Sequence, residues 1–297
     1  MSLGVLNNIA AVYAENNLNN TQSGLQTTLE QLSSGSRINS GADDAAGLSL
    51  VDGLGANSAA LTQSSDNANQ GVGLLQVADG ALSQVTNLLN RAVTLATEAS
   101  NGTLTTTQDA AANQEYQSIL AEVSNIGSTA TFNGNKVFSG AAVNIYSGDA
   151  TTTGGATDAL TISALSSTSV GDAGGTITAT GTTISYTAGT GGSENLSTTN
   201  LSTAAAAQTA LTDINTAITD VAGQRGYLGS QINTLNAISG VDSTEQTNVL
   251  SAQNSIQATD YGAATSNLSK FEILEQTGVS ALAQANSVQQ EVTKLLQ

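Results

Sequence analysis

Apolar side chains recur along this chain at alternating intervals of three and four residues, the mark of helices that bury one stripe. The last such run, 264–296, carries Phe271, Leu274, Gly278, Ala281, Ala285, Val288, Val292 and Leu295. This spacing is a coiled-coil seam. At ~1.5 Å per residue its helix would be about 45–50 Å long. A narrow seam of mostly small residues buries too little surface for a helix to stand alone. A shorter seam near the start, Leu18, Leu25, Leu29 and Leu32, supplies a partner. The two lie at opposite ends of the chain, so their pairing predicts a chain that folds back until its ends meet.

Between the seams the pattern stays mostly helical. From 44 to 99, Leu54, Leu61, Ala68, Val72, Leu75, Leu82, Leu89, Val93 and Ala96 keep to one face. Gly53, Gly55, Gly71, Gly73 and Gly80 lie inside that run. Each costs ~1 kcal/mol relative to Ala, so either the helix breaks or neighbouring backbones approach closely and packing compensates. The second is expected. A helix over 107–126, capped by Thr107, carries the stripe Ala112, Tyr116, Ile119, Val123 and Ile126. Asn133-Gly134, between Phe132 and the pair Val137 and Phe138, reads as a hairpin turn, and Val143 and Ile145 alternate as a strand.

Over 148–200 the composition shifts to Gly, Ser, Thr and Ala, with β-prone pieces at 160–162 and 182–187. This reads as a small strand-and-loop insert at the surface; the alternative is a flexible low-complexity linker. Helix resumes near 203 with Leu211, Ile214, Ile218, Val221, Leu228, Ile232, Leu235 and Ile238. Gly240 is expected to punctuate it. A further helix from Ser243 or Thr244 leads through Leu250 and Ile256 to the terminal seam. The stretch 32–50, LSSGSRINSGADDAAGLSL, is a helix stop, a connector and a restart. Gly35 and Gly41 break the helix. Ser40 and Asp43 resemble a capping box, Asp43 and Asp44 suit a first helical turn, and Arg37 is placed to pair with one of them.

These elements predict a mainly α fold: long antiparallel helices forming a coiled-coil rod with paired termini, and a small β-rich region at the far end. The expected divisions are 1–43 with 256–297 as a terminal coiled-coil domain and 44–147 with 201–255 as a helical shaft carrying the hairpin. The short surface insert then spans 148–200.

Composition narrows the function. The chain has 297 residues, six Lys plus Arg, a net charge of -17, and no Cys, Pro or His. Nucleic-acid backbones and anionic membrane surfaces both need clustered cations, so neither is a partner. No apolar run approaches the ~20 residues of a membrane span. The first residues lack the basic and apolar regions of a secretory signal peptide, so a secreted fate needs a route that reads an uncleaved chain. Both ends are nearly neutral: 1–36 holds Glu15 and Glu30 alone, and 264–297 sets Lys270 and Lys294 against Glu272, Glu275 and Glu291. The acidic middle suits solvent and the ends suit burial. Without His there is no Ser–His nucleophile system and no HExxH zinc site. No enzyme activity, cofactor or metal is expected.

The connector 32–50 resembles the N-terminal signature of bacterial flagellins. ATDYGAATSNLSKFEILEQTG (258–278), followed by ALAQANSVQQ (281–290), resembles their C-terminal signature. The resemblance spans the chain except for about 148–200. It implies a motility filament subunit whose termini line an inner tube, whose shaft forms the next layer and whose insert faces solvent. It also implies secretion, unfolded, through the flagellar export apparatus with an export chaperone. Hook-associated and cap proteins would be partners, and the location would be the extracellular filament. A seam too weak to stand alone is expected to be disordered in the monomer and to order on assembly. Head-to-tail contacts that do not close give an open helical polymer. The nearest alternative is a hook–filament junction protein. A reading of another class is a secreted ligand of Toll-like receptor 5. The family's recognition pattern matches Arg91 and Leu95 in NLLNRAVTLATEASNG and Glu115 in NQEYQSILAEV. O-linked glycans on the Ser/Thr-rich insert are a further implied feature.

Overall fold

The computed structural model describes residues 8–148, 157–171, 176–180, 183–187 and 194–295, the side chains of 157, 176–180, 183–187 and 292–295 excepted. Its elements are α1 (Ile9–Ser34), α2 (Ala45–Ser100), α3 (Thr106–Thr129), β1 (Thr131–Phe132), β2 (Asn135–Lys136), β3 (Ala142–Tyr146) and β4 (Thr157–Thr161). There follow β5 (Thr176–Thr180), β6 (Thr183–Thr187), a 3-10 turn Leu196–Thr198, α4 (Ala204–Gln257) and α5 (Tyr261–Leu295). The fold is mainly α, with strands paired antiparallel as β1–β2, β3–β4 and β5–β6. The chain forms two compact units, Met1–Ala56 with Asn248–Gln297, and Asn57–Thr247.

The second unit has a deep core, and its helices meet along seven-residue repeats. On α2, Ala68, Leu75, Leu82, Leu89 and Ala96 form one buried row, and Ala78, Val85, Ala92 and Ala99 the next. On α4 the buried row runs Ala207, Ala210, Ile214, Ala217, Val221, Gln224, Leu228, Gln231 and Leu235. To the same core α3 contributes Tyr116, Ile119, Leu120 and Val123. Alternating large and small side chains on facing rows let helices approach and interlock. The sequence-predicted positions on α2 from Leu61 onwards and on α4 are buried or half-buried. The Ala rows and the two Gln complete the repeats.

The five glycines of α2 do not break it. Close approach explains only part of this. A Cβ on Gly71 would sit 2.9 Å from the Leu235 side chain, but Gly53 and Gly80 face open space. The hairpin forms as expected: Asn133 and Gly134 both take positive φ, 49° and 79°, and Thr131 pairs with Lys136. Such a turn carries the twist of its strands.

Several expectations need correction. The stretch 148–200 is not simply a surface layer. Leu160, Ile162, Leu165, Val170 and Leu196 all belong to the helical core. Gly127 shows how tightly this segment packs: a Cβ there would lie 1.9 Å from the Leu165 carbonyl oxygen. The predicted piece 160–162 falls at the end of β4. The piece 182–187 falls on β6, whose side chains lie outside the described residues. Tyr116 and Asn113 of α3 tie down the segment that leads into α4, through Thr199 Oγ1 and the Leu201 amide (2.9 Å). Gly240 does not interrupt α4, which runs on to Gln257; a helix tolerates one exposed glycine at ~1 kcal/mol. Thr105, not Thr107, starts α3, with Gln108 Oε1 accepting from the Thr105 amide at 2.9 Å.

Candidate assembly interface

The first unit is thinly cored. Its buried apolar side chains among the described residues are Ile38, Val51 and Ala264, joined by Thr28. It also exposes large hydrophobics along its helices: Ile9, Val12, Tyr13 and Leu29 on α1, and Tyr261, Ile273, Leu274, Val279 and Val288 on α5.

Within this unit α1 and α5 pair antiparallel, and specific contacts set their register. Gly24 of α1 lies under the Phe271 ring of α5; a Cβ there would be 2.7 Å from Phe271 Cζ. Gly278 of α5 lies under Leu18 of α1, 3.3 Å from Leu18 Cδ1 on the same measure. Asn8 caps α1 by accepting from the Ala11 amide at 3.1 Å, while its Nδ2 donates across to the Ala285 carbonyl at 3.0 Å. A large side chain opposite a glycine is a knob in a deep hole, which brings two backbones close.

At one end of the pair the connectors clasp each other. Arg37 N donates to Gln257 O (2.7 Å) and Thr259 N to Gly35 O (3.1 Å). Gly35 has φ 72°, the left-handed conformation that ends α1. Arg37 pairs with neither Asp43 nor Asp44. Its Nη2 donates to the Ile256 carbonyl at 2.9 Å, where the negative end of α4 attracts a cation. The expected Ser40 cap is also replaced. Asp44 Oδ1 accepts from the Gly47 amide (2.8 Å) at the start of α2. Asp43 Oδ2 closes the preceding turn by accepting from the Asn39 and Ser40 amides (3.1 and 2.9 Å). Those two amides, with the Ser40 hydroxyl, hold the Asp43 carboxyl below its ordinary range. Asp260 Oδ1 starts α5 in the same way, accepting from Gly262 and Ala263.

The sequence-predicted seam splits on the structure. Leu18, Leu25 and Leu32 of α1 are half-buried and Leu29 is exposed. On α5, Phe271, Gly278 and Ala285 are half-buried, whereas Leu274, Ala281 and Val288 are exposed. The side chains of Val292 and Leu295 lie outside the described residues. A second half-buried row, Leu268, Glu275, Leu282 and Gln289, runs four residues after the row Ala264, Phe271, Gly278 and Ala285. Glu275 in that row disguises it in the sequence. Leu274 and Ala281 of the outward row border a groove of about 520 Å³, lined also by Ala14, Leu18 and Phe271, with no charged residue in its lining.

The receptor pattern is only partly assembled. Arg91 Nε donates to Glu115 Oε1 at 2.7 Å, and both side chains remain about half exposed. The hydrogen bond from Arg91 holds Glu115 below its ordinary range. Leu95, expected on the same helix face, is instead 3% exposed within the core. Among the described residues no cluster of His, Cys, Asp or Glu is placed to hold a metal ion. No described helix is long and apolar enough to cross a membrane.

Comparison with known proteins extends these observations to the whole chain. A model of the bacterial flagellin N-terminal helical region matches residues 5–143, and one of the C-terminal helical region matches 211–296. The flagellin of Listeria monocytogenes is 31% identical over 297 residues, covering 97% of this chain and 98% of that protein. The B-type flagellin of Pseudomonas aeruginosa is 41% identical over 140 residues, 47% of this chain and 29% of its own length. Among solved structures, the crystal structure of Bacillus cereus flagellin aligns with a TM-score of 0.45 at 28% identity, covering 59% of this chain and 88% of that one.

Proposed function

Because the chain belongs to the bacterial flagellin family, whose members homopolymerise into the flagellar filament, we propose that its first unit carries the polymerisation contact. The protein is a structural subunit of that filament, and its family is structural rather than enzymatic. The hook–filament junction reading is not favoured by these matches.

One observation supports this placement of the contact. Leu274, Ala281 and Val288 form an apolar row on α5 that α1 leaves exposed, in a unit with almost no core of its own. Covering an apolar row yields about 25 cal/mol per Å² removed from water. A helix pair that buries little alone gains its order from such contacts. The row is nearly free of charge although the whole chain carries -17, so copies meet here without opposing like charges.

Export through the flagellar apparatus with a chaperone, capping and hook-associated partners, and an extracellular location follow from the same reading. A chain ending at Asn267 tests it. Offered to wild-type seeds, it should fail to elongate them while its second unit stays folded by circular dichroism. Elongation at the full-length rate would place the contact elsewhere.

A second reading rests on the Arg91–Glu115 pair, exposed on neighbouring helices. It makes the monomer a ligand of Toll-like receptor 5 through these two residues, with Leu95 contributing only by supporting α2 from within. Arg91→Ala should then lower receptor signalling by the monomer without changing its melting temperature; unchanged signalling would exclude the pair.

A further inference from the structure

The β3–β4 hairpin turns one carboxylate inward. Asp158 and Leu160 share a face of β4, and both are buried, at 6% and 1% exposure. Asp158 stands opposite Ile145 in the β3–β4 register. Its carboxylate accepts a hydrogen bond from the buried Ser147 side chain, while Asp158 Oδ2 has no hydrogen-bond partner among the described residues. Across the contact, α4 presents buried Tyr227 and Gln231. The Tyr227 hydroxyl lies near the Thr161 backbone and the Gln231 side chain, and it senses the Asp158 charge. Tyr227 is the titratable group facing Asp158 from α4, and Ser147 faces it from the end of β3. No cation answers it among the described contacts: Arg225 is engaged by Asp79 at 2.7 Å and Arg91 by Glu115.

We propose that Asp158 is a proton-responsive clamp, which fastens the β3–β4 hairpin to α4 when it takes up a proton and loosens it when ionised. A charged carboxylate loses its hydration on entering an apolar contact, and one hydroxyl donor does not replace it. Proton uptake from solvent at Oδ2 removes the charge and turns a lone acceptor into a donor. Burial accordingly pushes the Asp158 carboxyl up, against the opposing effect of Ser147. The sign follows from linkage. A group whose folded value is raised contributes full stability below its unfolded value, and that contribution is lost as pH rises through the folded value. Acidification therefore tightens this hairpin, the reverse of the effect at Asp43 and Glu115, whose carboxyls are held down. This clamp lies in the second unit and stands whether or not the first unit carries the polymerisation contact.

The test uses the full-length monomer. Carbon NMR follows the Asp158 carboxyl through a titration, with the signal assigned by its loss in Asp158→Asn. Its midpoint should lie above those of the exposed aspartates in the same spectrum. Asp158→Asn should melt above wild type at pH 7.5, and the gap should close as pH falls towards 4. A midpoint at or below the exposed aspartates would overturn the clamp. So would an Asp158→Asn protein that melts at or below wild type at pH 7.5.

Discussion

Gly24→Ala tests the pairing of α1 with α5 because two effects of known size oppose each other there. In an exposed helix interior this substitution stabilises by ~1 kcal/mol, since Gly costs that much relative to Ala. At Gly24 the new methyl would stand 2.7 Å from Phe271 Cζ and 2.9 Å from Cε1, closer than carbon atoms tolerate. The ring must move, and overpacking of this kind costs ~1–3 kcal/mol. The balance is a loss of about 0–2 kcal/mol in the α1–α5 contact. Gly53→Ala is the control, because nothing lies within 4 Å of its Cβ position and only the propensity gain of ~1 kcal/mol remains. Gly278→Ala falls between them: Leu18 Cδ1 at 3.3 Å is the end of a flexible side chain. The assay is seeded elongation followed by light scattering, beside the helical signal of the monomer. Gly24→Ala should slow elongation, and Gly24→Ala with Phe271→Leu should recover part of it. If Gly24→Ala elongates as wild type and the double variant is slower, the knob-in-hole account of this pair is wrong.

Other consequences are simpler to check. Gly127→Ala should lower the melting temperature of the second unit by several degrees, because its methyl would meet the Leu165 backbone, which cannot swing aside. Lowering salt should slow assembly, because subunits of -17 lose the screening that operates over ~8 Å at physiological ionic strength; elongation indifferent to salt would contradict this. Asp43→Asn should weaken the connector near neutral pH, seen as faster amide exchange at Asn39 and Ser40. The wild type should approach it only in acid, since a lowered carboxyl contributes stability that is lost as pH falls through its folded value.

Much of the helical architecture was legible because the repeats are long. Leu61, Leu75, Leu82 and Leu89, or Ile214, Val221, Leu228 and Leu235, announce a buried row through spacing alone. The second rows were harder to read. Ala78, Ala92 and Ala99 look neutral in a chain rich in Ala, and Gln224 and Gln231 look exposed although each is only 2% exposed. The hairpin at Asn133-Gly134 was legible because few residue pairs accept positive φ twice in succession. The core segment within 148–200 was obscured because Leu160, Ile162 and Leu165 stand in a Thr- and Ser-rich context that reads as surface. At the terminal seam, Phe271, Gly278 and Ala285 were found, but rows lie three residues and four residues away on either side. The apolar pattern favoured Leu274 over Glu275, whereas the structure exposes the former and half-buries the latter.

That division of the α5 seam into an inner and an outer row is the centre of the account. Elongation of wild-type seeds by a Leu274→Asp, Val288→Asp subunit tests it most directly, because both side chains are exposed on the outer row. The account predicts monomers with unchanged helicity and melting that no longer extend the seeds. Monomers that extend them at the wild-type rate would show that the outer row is not where copies of this chain meet.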